Sequence, residues 1–163
     1  MRDAAAHRAA MTLHASYYVT AHSAERDNCD WVPEASRRAR GFTVYAALRF
    51  LGRKGIEELI DRCCLLARRM ADRLAEHQAV TVLNSVVLNQ VLVRFSDPSG
   101  SDSDEFTAEV IRRVQKDGTC WLGGTTWHGM RAMRISISNW STTESDIDLS
   151  ADAILRCAAG TTP

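Results

Sequence analysis

MRISISNWSTTESDIDLSADAILRC, residues 133–157, carries two different periods. From Met133 to Asn139 apolar and polar residues alternate. Met133, Ile135 and Ile137 fall on one side; Arg134, Ser136 and Ser138 fall on the other. A period of two marks a strand with one covered face. From Ser141 the pattern changes. Ser141-Thr-Thr-Glu144 has the spacing of a capping box, and a helix is expected from there to about Cys157. A half-covered strand that feeds a capped helix points to an α+β unit.

The same two patterns recur upstream. Val80–Leu83 and Val86–Phe95 are rich in β-branched residues and read as strands. Residues 96–104, with Pro98 and Gly100, read as a loop. A helix follows, with Asp102 and Glu105 at capping-box spacing, Phe106, Val110, Ile111 and Val114 on its apolar side, and Gly118 at its end. Residues 120–127 predict a short strand around Gly123-Gly124. Before the sheet, Ile56, Leu59, Ile60, Cys63, Ala67, Met70 and Leu74 form one apolar stripe on a long helix from about Gly55 to His77. An earlier helix is expected behind Ser36 as N-cap, with Phe42, Tyr45, Ala46 and Phe50 at helical spacing and a stop at Gly52. Residues 4–11 predict a short helix, and residues 14–31 a long irregular segment, which in compact proteins is usually functional or disordered. Little apolar surface anchors residues 1–35, so disorder is expected there in isolation. The order is two helices, then β-β-α-β-β-α.

Composition sets the bounds. The chain has 163 residues, enough for one ordinary domain, with 45% hydrophobic and 25% charged residues. That excludes a disordered tail, a collagen-like fibre and a membrane bundle. Lys plus Arg and Asp plus Glu are both 20, so no basic excess recommends a nucleic-acid partner. No apolar run approaches the ~18 residues of a membrane span. Arg2, Asp3, His7 and Arg8 interrupt any signal-peptide core, so the cytoplasm is the expected location. The five cysteines include no CxxC and are expected to be reduced thiols. GxGxxG, P-loop, HExxH and GxSxG are absent, the five histidines lack metal spacing, and no metal is expected. Only Lys54 and Lys116 are lysines, against 18 arginines, and arginine cannot form a Schiff base.

Two features stand out chemically. Arg134 lies on the polar face of a strand, which can hold a guanidinium fork rigidly against a carboxylate. Ser36-Arg37-Arg38 stands at a helix start, where backbone donors attract phosphate.

The ordered set of stretches resembles the group II pyridoxal-phosphate amino-acid decarboxylases, which include the aromatic-amino-acid and glutamate decarboxylases. The stretches are His14-Ala-Ser-Tyr17-Tyr18, Trp31 to Phe42, Ala46 to Ile56, Leu88 to Phe95, Gln115 to Trp121 and Met133 to Trp140. The resemblance implies the C-terminal third of an enzyme with the aspartate-aminotransferase-like fold (fold type I). It divides the chain into a tail of the large domain (residues 1–54), a connecting helix (55–79) and a small C-terminal domain (80–163). It implies pyridoxal 5'-phosphate as cofactor. The family's His-Lys motif, which makes the internal aldimine, is absent here, and neither Lys54 nor Lys116 matches its position.

By the same resemblance three residues have roles. Tyr17 matches the tyrosine of a mobile catalytic loop, which protonates the carbon left after CO₂ departs. Arg134 matches a clamp for the substrate carboxylate. Ser36 matches a turn that approaches the cofactor phosphate across a dimer interface. The expected partners are a small amino-acid substrate and either the missing N-terminal portion or a second copy, with no nucleic acid and no membrane. The chain is expected to be inactive alone. The alternative is a non-catalytic dimerisation or interaction module derived from that family.

Overall fold

A computed structural model describes residues 3–12, 28–33, 38–98, 100 and 102–160. The chain divides into two compact units, Met1–Phe50 and Leu51–Pro163. In the first, α1 (Ala4–Met11) opens on Asp3, whose carboxylate accepts the Ala6 N–H at 2.9 Å. Arg8 donates through Nε to Asp30 at 2.8 Å, and the His7 ring meets Trp31 edge-on, 5.5 Å between centroids. Asp30 and Trp31 belong to a 3-10 turn, Asn28–Trp31. Residues 1–35 therefore hold order at two places where disorder was expected. The reason is a local ion pair and a ring contact rather than a core.

The expected helical stop is found. The helical run α2, Arg40–Ala75, is interrupted at Gly52 (φ 62°, ψ −175°), a conformation that a Cβ disfavours. Its start is Arg40; residues 34–37, including the expected cap Ser36, lie outside the described residues.

The second unit carries the main core. Along α2 the buried residues are Cys63, Cys64, Leu66, Ala67, Met70, Ala71 and Leu74, a broad stripe at helical spacing. Both adjacent cysteines are inside, where one was expected. The stripe packs on a four-stranded antiparallel sheet of β1 (Val80–Val82), β2 (Gln90–Phe95), β3 (Gly123–Trp127) and β4 (Met130–Ser136), in the order β1-β2-β4-β3. Helices α3 (Ser103–Asp117) and α4 (Glu144–Ala158) complete the α+β unit. Val91, Val93, Phe95 and Met133 have no exposed surface, and Val110, Val114 and Ile154 meet them from the helices. The expected alternation of β4 holds: Met133, Ile135 and Ile137 are buried; Arg134, Ser136 and Ser138 are exposed.

Several element ends shift: the strand expected over residues 120–127 begins at Gly123, and α3 opens on Asp102, which accepts the Asp104 N–H at 2.9 Å in place of a capping box with Glu105. The strand expected from Val86 begins at Gln90, because the Asn84 amide takes over ladder positions: its Oδ1 accepts the Leu92 N–H (2.8 Å) and its Nδ2 donates to Gln90 O (3.1 Å). The last two strands form a hairpin through His128-Gly129, both at positive φ (48° and 79°), so β4 starts three residues early, at Met130. The capping box of α4 is Thr143 with Asp146, not Ser141 with Glu144. The Asp146 carboxylate accepts from Thr143 N–H and Oγ1 at 2.8 Å. Replacing Thr143 by Ala is therefore expected to cost about 0.5–2 kcal/mol. Ser141→Ala should cost less in the same urea titration, and an equal loss at both would contradict the assignment of the cap.

Candidate functional site

Arg134 sits where the sequence places it, on an exposed position of β4. The register is antiparallel on both sides: Leu92↔Arg134 on β2 and Gly123↔Arg134 on β3. The face therefore carries Gln90, Leu92 and Arg94 from β2, Arg134 and Ser136 from β4, and Gly123, Thr125 and Trp127 from β3. The two flanks of Arg134 differ. Leu92 is buried on one side. On the other, Gly123 carries no side chain, and a Cβ built there would meet no heavy atom within 4 Å, so this flank of Arg134 is open. The sequence marks Gly123-Gly124 only as the middle of a strand. The register alone reveals Gly123 as the open flank of Arg134.

Other arginines of this unit are committed to structure. Arg69 forks onto Asp148 at 2.7 and 2.8 Å, Arg73 reaches Asp152 at 2.6 Å, Arg94 reaches Asp104 at 2.8 Å, and Arg113 binds Glu109 at 2.9 Å. Among the described residues no carboxylate pairs with Arg134. A five-donor fork on a rigid strand with an open flank can bind an external carboxylate by two parallel hydrogen bonds. Tyr17, Tyr18 and Ser36 lie outside the described residues, so no geometry relates them to Arg134.

Four carboxylates of this unit are held by partners within the fold. The Arg69 fork holds Asp148 below the ordinary carboxylate range, Thr143 does the same for Asp146, Arg113 for Glu109 and Thr119 for Asp117. A carboxylate lowered in the folded state stabilises above its unfolded value and loses that contribution as pH falls through the folded one. The urea midpoint is thus expected to hold from pH 7 to 5 and to drop below about pH 4. Asp148→Asn should flatten part of that drop, and an unchanged pH profile would remove Asp148 from the account. Burial pushes the Cys120 and Cys157 thiols up, away from thiolate chemistry. Among the described residues no group of three or more His, Cys, Asp or Glu could hold a metal ion, and no helix is long and apolar enough to cross a membrane.

The two lysines of the chain are both exposed. Lys54 is 89% exposed and pairs with Glu58 on one helical face, and Lys116 is exposed near the end of α3. A lysine that carries a pyridoxal group is enclosed by the groups that hold the ring and phosphate, and among the described residues nothing encloses Lys54 or Lys116.

The architecture is found in Oryza sativa TDC, solved with PLP and tryptamine (TM-score 0.70, 18% identity), where the alignment covers 78% of this chain and 28% of that one. It is found again in Catharanthus roseus tryptophan decarboxylase in complex with L-tryptophan (TM-score 0.70, 15% identity, 81% and 29% covered). A third match is the glutamate decarboxylase domain of diaminobutyrate-pyruvate transaminase and L-2,4-diaminobutyrate decarboxylase from Vibrio parahaemolyticus (TM-score 0.62, 23% identity, 72% and 25% covered). The chain thus spans less than a third of the length of these solved proteins. No curated protein matches its sequence. The conserved domain of pyridoxal-dependent decarboxylases matches residues 1–96, more than half of the chain. On that match the chain belongs to the pyridoxal-dependent decarboxylase family.

Proposed function

We propose that this chain supplies one part of a pyridoxal-phosphate-dependent amino-acid decarboxylase, an enzyme that releases the α-carboxylate of its substrate as CO₂. The observation that carries the reading is Arg134, a guanidinium without a carboxylate partner among the described residues, on a rigid strand with an open flank, in a chain of this family. Its fork binds the substrate carboxylate and fixes the direction of the bond to be broken. Tyr17 delivers the proton to the α-carbon once CO₂ has left; a phenol is a competent acid there if water is excluded. Ser36 contributes to the turn that faces the cofactor phosphate. The electron-withdrawing chemistry belongs to pyridoxal phosphate, which the complete enzyme holds on a lysine outside this chain. Residues 1–54 act as the tail of the large domain, 55–79 as the connecting helix and 80–163 as the small domain.

The missing portion, upstream of the matched region, is the proposed partner, and the assembled enzyme is a dimer. Phe42 (75% exposed), Tyr45 (61%) and Phe50 (89%) support this: apolar helical residues so open to water are covered when a larger protein is complete.

The test is complementation. Mixing the chain with the upstream portion of the enzyme should restore CO₂ release from an amino acid. In the restored enzyme Tyr17→Phe should lower turnover about 10²–10⁴-fold, the usual contribution of a positioned acid. Normal turnover in that variant excludes Tyr17. A stable homodimer that ignores the upstream portion favours the non-catalytic module instead.

A further inference from the structure

An exposed indole shares the sheet face of Arg134. Leu122 is buried, and a Cβ on Gly124 would meet Ile111 Cδ1 at 3.4 Å, so both positions turn toward the helices. Trp121, Gly123 and Thr125 alternate with them and turn to the other side, the side of Arg134. A second observation places the indole: Trp121 borders the same cavity as Ser136, the next residue of β4 on the Arg134 face. Gly123 pairs directly with Arg134, and Trp121 stands one alternate position before it. Diagonal neighbours of this kind are about 7–8 Å apart, a spacing that aromatic and long side chains bridge.

Trp121 is 81% exposed, and among the described residues its indole has no ring contact and no hydrogen bond. Between the indole and the guanidinium lies Gly123, which carries no side chain. The opposite flank differs. Leu92 is buried there, and beyond it Arg94 is already paired with Asp104 at 2.8 Å. Among the described residues of this face, Arg134 is therefore the one guanidinium without a carboxylate, and its open side leads to an apolar ring.

We propose that Trp121 reads the side chain of the substrate, and that the substrate is an amino acid with an aromatic or large apolar side chain. The carboxylate lies in the Arg134 fork. The side chain crosses Gly123 and packs on the indole, where ring contact adds to the apolar area removed from water. A second carboxylate in that side chain would meet the indole in place of a cation, and an unpaired charge is costly to cover. The inference rests on the decarboxylase reading for the reaction. For recognition it rests on Arg134, Gly123 and Trp121.

Two measurements test it, and they fail separately. The first uses the 163-residue chain alone, isotopically labelled for NMR. Millimolar 3-phenylpropionate should shift the Trp121 indole N–H together with the Arg134 side-chain N–H, whereas propionate should shift Arg134 only. An unmoved Trp121, or an equal shift with propionate, overturns the proposal. The second uses the complemented enzyme. Its kcat/KM should be higher for L-phenylalanine than for L-glutamate. Trp121→Ala should lower the L-phenylalanine value about 10–100-fold and leave the L-glutamate value nearly unchanged, while Trp121→Phe keeps most of the preference. Equal losses for both substrates overturn the proposal; the exposed position makes unfolding an unsuitable explanation, and far-UV circular dichroism checks it. Should complementation release CO₂ from no amino acid, the decarboxylase reading fails, and the NMR titration still upholds or overturns Trp121 as the contact for an aromatic acid.

Discussion

Phe95→Ala is expected to cost about 3–5 kcal/mol, the range for removing a buried aromatic ring from a core. Phe95 has no exposed surface and is among the largest fully buried side chains. It closes β2 opposite Val80, and its backbone is held a second time by Thr107: the Phe95 N–H donates to Thr107 Oγ1 at 3.1 Å and Thr107 Oγ1 donates to Phe95 O at 3.4 Å, both inside the core. Such anchoring prevents the strand from collapsing into the space left by the ring, which places the cost toward the upper end. Domains are stable by only about 5–15 kcal/mol, so the variant loses a large fraction of the stability of the second unit. Urea unfolding followed by far-UV circular dichroism reads the effect as a lowered midpoint. A loss below 1 kcal/mol would mean that Phe95 does not close this core.

Arg134→Ala is expected to leave that stability unchanged and to raise KM of the complemented enzyme about 10²–10³-fold. The side chain is exposed and has no ion-pair partner among the described residues, so the fold loses nothing by its removal. Two charge-assisted hydrogen bonds to a carboxylate are worth about 3–4 kcal/mol together, which gives the fold-change. Arg134→Lys should recover only part of it, because an ammonium offers a point charge in place of the fork. Gly123→Val is a milder companion, crowding the open flank while the guanidinium stays. Unchanged KM and kcat in Arg134→Ala would remove Arg134 from the site.

The sequence made some of this architecture legible and not the rest. Alternation from Met133 onward predicts which residues of β4 face the core, because one covered face imposes a period of two. The stripe from Cys63 to Leu74 predicts the buried side of α2 for the equivalent helical reason. Element ends were less readable. At Asn84 a side chain replaces backbone partners, and at His128-Gly129 a non-glycine residue takes a positive φ, a choice that the sequence does not announce. The cap moved from Ser141 to Thr143 because both residues can serve and geometry decides. Arg134 could be found from its strand pattern. Its open flank could not, since Gly123 lies eleven residues away in sequence and becomes its neighbour only through the register. Tyr17 and Ser36 rest on resemblance to a family, as no spacing in the chain distinguishes them from an ordinary tyrosine and an ordinary helix cap.

In the proposed role this chain contributes to a decarboxylase without carrying the cofactor itself. Incubation of the purified chain with pyridoxal phosphate, reduction with borohydride and mapping of the modified peptides by mass tests it most directly. No stoichiometric adduct is expected at Lys54 or Lys116, both exposed on helix surfaces. A stoichiometric adduct confined to either lysine would mean that the chain builds its own cofactor site, which contradicts the proposed role.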